Sequence, residues 1–447
     1  MRELMLDTTA RALRYLEGLD ERTVTPDPAV VARLDALEIS LPDDGVSDAA
    51  TLAELDSYAD ATIAMSGPRF FGFVIGGTLP AALAANWLAG AWDQNTAFAT
   101  LTPLTAKLEA VALRWLVDLL GLPQGTGAGF VTGATMANFS CLVAARHAVL
   151  NAAGWNVEAD GLFGAPPVTV VVGEEAHPSL FKALGLIGFG RERVVRVPVD
   201  DQGRMRADTF PTLYGPTIVC VQAGNVNTGA FDPASAIIPQ AKAAGAWVHV
   251  DGAFGLWAAA SPRYATLMEG YAGADSWAAD AHKYLNTPYD CGLAFVHDPA
   301  ALRAAMAVTA AYLPASETRD PSDYTPELSR RARGVEVWAA LRSLGRAGVA
   351  ELIEHTCRHA RRFAEGLRTA GYQVLNEVVL NQVLVSFGDA ATTRRVIADI
   401  QRDGTCWVGP TVWQGQTAMR ISVSSWRTTD DDVERSLTAM IRAARAE

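Results

Sequence analysis

Residues 246–253 read AWVHVDGA, a run in which Trp247, Val248 and Val250 lead into the carboxylate of Asp251. β-Branched and aromatic residues at this density predict a buried strand that ends on an acid. Similar runs flank it: PPVTVVVG (166–173), RVVRVPVD (193–200), PTIVCVQAG (216–224) and GLAFVHD (292–298). Between several of them lie stretches of helical spacing, such as HPSLFKALGLIG (177–188) and ASAIIPQAKAAG (234–245). Strands alternating with helices predict an α/β fold with a mostly parallel central sheet flanked by helices. The near-continuous apolar character of the strands fits a sheet covered on both faces.

Outward from this centre the chain divides into three zones. Residues 1–67 read as helices broken by TPDP and LPDDG, with little apolar material for a core of their own. Residues 68–335 hold the strand–helix alternation. Residues 336–447 form a smaller α+β zone, with a helix through ELIEHTCRHARRFAEGLRTAG (351–371), then NQVLVSF (381–387) and TAMRISVSS (417–425).

The formal net charge of -12 gives no basic face for nucleic acid. The 5 cysteines are widely spaced, without a CxxC pair or a Cys/His ligand spacing, so neither a metal site nor a disulfide frame is expected. The opening MRELMLDTTARALRYLEGLD has no continuous apolar segment of the secretory type. No window reaches the roughly 20 apolar residues of a membrane span. A cytoplasmic protein with no nucleic-acid or membrane partner is the expectation.

Ligands of open α/β sheets bind at the carboxyl ends of the strands. Three features fall there. In GFVTGATMANFSCLVAARHAVL (129–150), a short strand turns through Thr132, Gly133, Ala134 and Thr135 into a long helix. Small residues and free amides at a helix start favour an anion such as phosphate, although such turns also serve only as caps. Asp251 is the second feature. A buried carboxylate costs on the order of several kcal/mol unless a cation meets it, and a structural salt bridge is the plain alternative. The third is Lys283 in DAHKYLN (280–286), 32 residues further on and entering an apolar run. Lysine is rarely buried without a partner. Together the three supply what pyridoxal 5′-phosphate requires: a phosphate cradle, an acid for the ring nitrogen and an amine for the aldehyde.

With EEAHPSLFKA (174–183), GNVNTGAFDP (224–233), HVDGA (249–253) and DAHKYLN followed by YDCG (289–292), the chain resembles the pyridoxal-phosphate-dependent group II amino-acid decarboxylases. This is the aromatic-amino-acid/glutamate decarboxylase family of the aspartate aminotransferase-like fold, fold type I. The resemblance implies pyridoxal 5′-phosphate as cofactor and Lys283 as its covalent anchor. It implies that Ala134 and Thr135 contact the phosphate, Asp251 the ring nitrogen, and His177 and Ala253 the two ring faces. Asp280 and His282 resemble residues that hold the phosphate, with Asp280 standing where many animal relatives carry asparagine. Asn225 stands near the cofactor where relatives often have threonine.

The segment AAYLPASETRDPSDYTPELSRRARG (310–334) resembles the family's catalytic loop. Tyr312 aligns with the loop tyrosine that protonates the substrate carbon after carbon dioxide leaves, and Tyr324 is a second candidate. Arg330 resembles a family arginine, and Arg420 the carboxylate-binding arginine of related aminotransferases, a clamp that decarboxylation does not require. For substrate, Phe73, Val74 and Ile75 in FFGFVIGGTLP (70–80) offer an apolar wall, with Trp92 and Phe98 adding aromatic surface from a partner subunit. The resemblance thus implies a homodimer with shared active sites, decarboxylating an aromatic or bulky apolar L-amino acid. Another reaction on the same cofactor (aminotransferase, carbon–carbon lyase, aldehyde synthase) and a catalytically idle homologue stay open as alternatives.

Overall fold

A computed structural model of the chain describes residues 1–308 and 318–446. Its main sheet has seven strands: β1 (Gly127–Val131), β2 (Thr169–Gly173), β3 (Val195–Val197), β4 (Thr217–Gln222), β5 (Trp247–Asp251), β6 (Ser276–Asp280) and β7 (Gly292–Val296). Their order is β1-β7-β6-β5-β4-β2-β3. The pairs from β6 through β5, β4 and β2 to β3 are parallel, and β7 runs antiparallel to both β1 and β6. The architecture is that of fold type I, as the sequence predicted.

Alternate strand residues feed two cores, as the two-residue period of a strand dictates. Val171, Val219, Val248, Val250 and Phe295 face the buried Trp257, Trp277 and Tyr284. Val170, Val172, Ile218 and Ala294 face the helix Ala134–Ala152. The expected strand 193–200 shrinks to three residues at the sheet edge. Pro198 follows it directly and has no N–H to extend the ladder.

The reversal of β7 brings its first residue, Gly292, opposite both Val131 and Asp280. A Cβ at Gly292 would stand 2.5 Å from Gly133 Cα. Only glycine therefore lets the turn after β1 lie against β7. The carboxyl ends of β1, β2, β4, β5 and β6 and the start of β7 thus share one edge.

A second sheet has the order β10-β11-β9-β8, antiparallel throughout, from β8 (Gln373–Val374), β9 (Gln382–Ser386), β10 (Gly409–Trp413) and β11 (Gln416–Ser422). The helices Ala390–Asp403 and Asp430–Arg445 cover it, the latter opened by a capping box between Thr429 and Asp432. Asp432 also binds Arg69, Oδ1 to Nη1 at 2.8 Å, fastening the segment before residue 70 to this unit. The boundary expected at 335/336 falls inside the first turn of the helix Gly334–Thr369, which breaks its regular geometry at Gly345. The helices Arg2–Glu17, Pro28–Ala32 and Asp48–Ser57 bury none of their own side chains. All five cysteines are buried and free. Among the described residues no helix is long and apolar enough to cross a membrane, and no cluster of His, Cys, Asp or Glu suits a metal ion.

Candidate active site

At the shared strand edge a cavity of about 390 Å³ is lined by residues from both sheets. Asp251, the last residue of β5, reaches it from the floor, 5 % exposed. Asn138 on the helix Ala134–Ala152 donates Nδ2 to Asp251 Oδ2 at 3.1 Å. Sequence reasoning missed Asn138, whose one signal was an amide side chain early in a helix rich in small and apolar residues.

The segment after β6 supplies the amine. Lys283 Nζ lies 2.8 Å from Asp280 Oδ2, while Asp280 Oδ1 is buried without a hydrogen-bond partner. Beneath the lysine the chain is pinned: a Cβ on Gly76 would meet Lys283 O at 2.1 Å, so the 72–77 loop seats directly on this turn. His282 accepts the Cys291 N–H at Nδ1 (3.1 Å) and stacks on Tyr289 with ring centroids 4.2 Å apart. In the neutral ring the proton therefore sits on Nε2, which faces Asp280 Oδ1 at 3.5 Å. Burial lowers the His282 pKa, against the pull of Asp280.

Thr132, Gly133, Ala134 and Thr135 line the cavity at the start of the helix Ala134–Ala152. A Cβ on Gly133 would approach His282 Cε1 to 3.3 Å, so the missing side chain is what keeps this cradle open. First-turn amides of a helix have no partner within it and attract anions. Across the cavity, His177 is the N-cap of the helix Pro178–Leu186, and its Nδ1 accepts the Ser179 N–H at 3.2 Å. That bond fixes the ring and leaves the Nε2 side for the cavity. Burial lowers the His177 pKa; Asp251 opposes this, while the charges of Lys283 and Arg420 add to it.

The cavity thus gathers Ala134, Thr135, His177, Asp251, Ala253, Asp280, His282, Lys283, Phe73 and Val74 of the expected set. It adds Gln222, Ser179, Val226, Phe254 and Arg420. Arg420 comes from β11 and donates Nη1 to Val226 O at 3.3 Å, with burial lowering its pKa. The apolar wall therefore faces a cation that the sequence reading set aside.

Five expected residues lie elsewhere. Ile75 packs with Val24 and Phe70 in a separate small cluster, outside the lining. Asn225 is not in the lining; its Oδ1 caps the Asn227 and Thr228 N–H groups and its Nδ2 donates to Glu175, so its polar atoms serve a turn. Trp92 ends the helix Pro80–Trp92 and is 39 % exposed, and Phe98 is half-buried in the following loop; neither lines this chain's cavity. Tyr324 lies under the Arg319 guanidinium, 4.4 Å from ring centroid to Cζ, outside the lining. Tyr312 lies outside the described residues.

An open helix start, a buried acid held from behind and a lysine on one cavity fit the parts of pyridoxal 5′-phosphate: phosphate, ring nitrogen and aldehyde. Comparison with known proteins agrees. Residues 39–388 match the model of the pyridoxal-dependent decarboxylase conserved domain. Tryptophan decarboxylase 1 of Oryza sativa subsp. japonica is 29% identical over 454 residues, covering 92% of this chain and 87% of that protein. The L-2,4-diaminobutyrate decarboxylase of Rhizobium meliloti (strain 1021) is 28% identical over 469 residues, covering 99% and 90%. Among solved structures, Oryza sativa TDC with PLP and tryptamine superposes with a TM-score of 0.89 at 24% identity, covering 99% of this chain and 97% of that one. Mouse CSAD gives 0.92 at 21%, covering 100% and 99%, and at such identities both speak for the fold. With most of its length matched, the chain belongs to the pyridoxal-dependent decarboxylase family, the group II amino-acid decarboxylases of fold type I whose cofactor is pyridoxal 5′-phosphate.

Proposed function

We propose that this enzyme decarboxylates an aromatic or bulky apolar L-amino acid to the corresponding amine and carbon dioxide. The observation that carries the substrate class is the wall facing Lys283, made by Phe73, Val74, Val226 and Phe254. A planar or bulky apolar side chain gains there by burial, about 25 cal/mol per Å². The tryptophan decarboxylase of rice and the aromatic-L-amino-acid decarboxylase of Bacillus atrophaeus, 25% identical over 82% of this chain, lend support.

Pyridoxal 5′-phosphate, when bound, supplies an electron sink for the bond between the substrate's α-carbon and its carboxylate. The chain's own residues do the rest. Lys283 would anchor the aldehyde through its Nζ. Ala134, Thr135 and His282 hold the phosphate through amides, a hydroxyl and the Nε2 proton. Asp251 holds the proton of the ring nitrogen, so that the ring stays electron-poor. His177 would cover one ring face and Ala253 the other, with the His177 Nε2 available to the substrate carboxylate. Arg420 gives that carboxylate a counter-charge on entry. Tyr312, on the loop implied by the resemblance, is the proposed proton donor to the α-carbon.

We further propose a homodimer with shared sites. An apolar groove lined by Tyr15, Leu16, Leu52, Leu55 and Trp87, and the exposed Leu88 and Trp92, support a second copy covering this side. Trp92 and Phe98 then furnish aromatic surface across the interface.

A panel of amino acids tests the proposal, with carbon dioxide, amine, aldehyde, keto acid and hydrogen peroxide measured together. Carbon dioxide and amine in equal amounts from aromatic substrates is the expected result. Aldehyde with hydrogen peroxide would point instead to the chemistry named for phenylacetaldehyde synthase of a Rosa hybrid cultivar, 29% identical over 60% of this chain. Preference for a diamino acid would overturn the substrate class.

A further inference from the structure

Asp251 stands at the end of a line of buried hydrogen bonds whose direction is fixed by chemistry at every link. Trp247, His249 and Asp251 alternate along β5 and so project to the same face. Ser276 pairs with His249 from β6, and Asn138 comes down from the helix Ala134–Ala152. The four links are Trp247 Nε1 to Ser276 Oγ at 2.9 Å, Ser276 Oγ to His249 Nδ1 at 2.9 Å, His249 Nε2 to Asn138 Oδ1 at 2.9 Å, and Asn138 Nδ2 to Asp251 Oδ2 at 3.1 Å.

An indole N–H can only donate, and a carboxylate oxygen can only accept. The Asn138 amide must therefore turn its NH₂ to Asp251 and its carbonyl to His249. The carbonyl accepts, so the imidazole proton is on Nε2. Nδ1 then accepts the Ser276 hydroxyl, whose lone pair receives the Trp247 N–H. Every donor points toward Asp251. Asn138, His249 and Ser276 are fully buried, and Trp247 and Asp251 are 8 % and 5 % exposed. Burial pushes His249 down to about 3, which keeps the ring neutral and this single tautomer in place.

We propose that Trp247, Ser276, His249 and Asn138 form a one-way hydrogen-bond relay that positions Asp251, occupying Oδ2 and leaving Oδ1, which accepts only the long Ala253 N–H bond at 3.4 Å, a lone pair to face the ring nitrogen of the cofactor. The relay rests on the role given to Asp251 above. It conducts no proton to Asp251, because its last link is an amide that keeps its hydrogens. Its effect is to lock the carboxylate's rotation and to aim a line of aligned dipoles at it. His249 is a positioning residue: it touches neither substrate nor cofactor. A strand histidine between two valines reads as core, and only the pairing of β5 with β6 and the helix above reveals its partners.

The first test needs no variant. Nitrogen-15 spectra of histidine-labelled holoenzyme between about pH 6 and 8 should show His249 neutral and protonated on Nε2 throughout. A proton on Nδ1, or a charged ring in that range, overturns the relay. The second test compares His249→Leu with His249→Gln, whose amide can donate to Asn138 Oδ1. His249→Leu is expected to weaken pyridoxal 5′-phosphate binding about tenfold and to move the pH at which the bound cofactor's visible band titrates. His249→Gln should recover most of both. Should His249→Leu not fold, Ser276→Ala breaks the second link with a smaller change in the same direction. Wild-type affinity and titration in the folded variants overturn the relay while leaving Asp251 as the ring partner. Failure of wild-type protein to attach the cofactor at Lys283 overturns the relay together with the role of Asp251.

Discussion

Lys283 and Asp280 form an ion pair, Nζ to Oδ2 at 2.8 Å, with side chains only 17% and 3% exposed. The same carboxylate leaves Oδ1 buried and without a hydrogen bond, and a Cβ on Gly133 in the cradle would lie 3.6 Å from it. The free protein thus uses Asp280 to neutralise its lysine. On the placement proposed for the cofactor, commitment of the lysine nitrogen would leave an acid beside the phosphate cradle.

Opposite effects on the two states follow for Asp280→Asn. Removing one partner of a buried pair costs the free protein on the order of 3 kcal/mol, a melting temperature several degrees lower. The loaded protein loses a repulsion instead. The rise in melting temperature on saturation with pyridoxal 5′-phosphate should therefore be larger in the variant than in wild type. A smaller rise contradicts the role given to Asp280.

Phe73 and Val74 both sit at positive φ, 54 and 61, a conformation that bulky and β-branched residues avoid. The loop accepts this strain to present Phe73 and Val74 to the cavity while Gly76 packs on Lys283. Phe73→Ala should lower kcat/KM about tenfold for aromatic amino acids, mainly through KM, and much less for small apolar ones. An equal loss across the substrate panel would remove Phe73 from the specificity wall.

Arg330 Nη1 and Glu109 Oε2 meet at 2.7 Å with both side chains fully buried, and Nη2 donates to Phe130 O on β1 at 2.8 Å. Arg319 Nη1 adds a second contact to Glu109, 3.3 Å from Oε1. Glu109→Gln leaves Arg330 buried without its counter-charge, a loss of about 3–5 kcal/mol. Thermal unfolding should show a clear drop, with cofactor affinity below the transition unchanged. An unchanged melting temperature would mean the pair contributes nothing.

Acid sensitivity follows from His249. Its folded-state pKa, about 3, is depressed by burial, whereas the unfolded chain takes up the proton near the usual value of about 6.5. Between these the unfolded state binds more protons. The contribution is whole above about pH 6.5 and is lost as pH falls toward 3, at up to about 1.4 kcal/mol per pH unit. Urea unfolding from about pH 7.5 to 5 should show this decline, and His249→Gln should flatten it. The same slope in both proteins would show that His249 is not the group responsible.

The strand–helix alternation was legible because buried strands must be apolar and turns must not be. Asp251, Lys283 and Gly133 were legible because each is a residue type out of keeping with its place: an acid ending a core strand, an amine entering an apolar run, a gap before a helix. What depends on chain crossings was not. Arg420 reaches the cavity, and Val226 O, only because the second sheet packs against the strand edge of the first. Asn225 was misplaced because an asparagine that caps its own turn and one that binds a ligand look alike in sequence. β3 was overextended because its valines outweighed Pro198 in the reading.

Covalent attachment at Lys283 is the central claim, and borohydride reduction tests it directly. Purified protein saturated with pyridoxal 5′-phosphate should be reduced, digested and sequenced by mass spectrometry, beside Lys283→Ala treated alike. A phosphopyridoxyl group on Lys283 in wild type, absent from the variant peptide, is the expected result. A label on another lysine, or none at all, contradicts it.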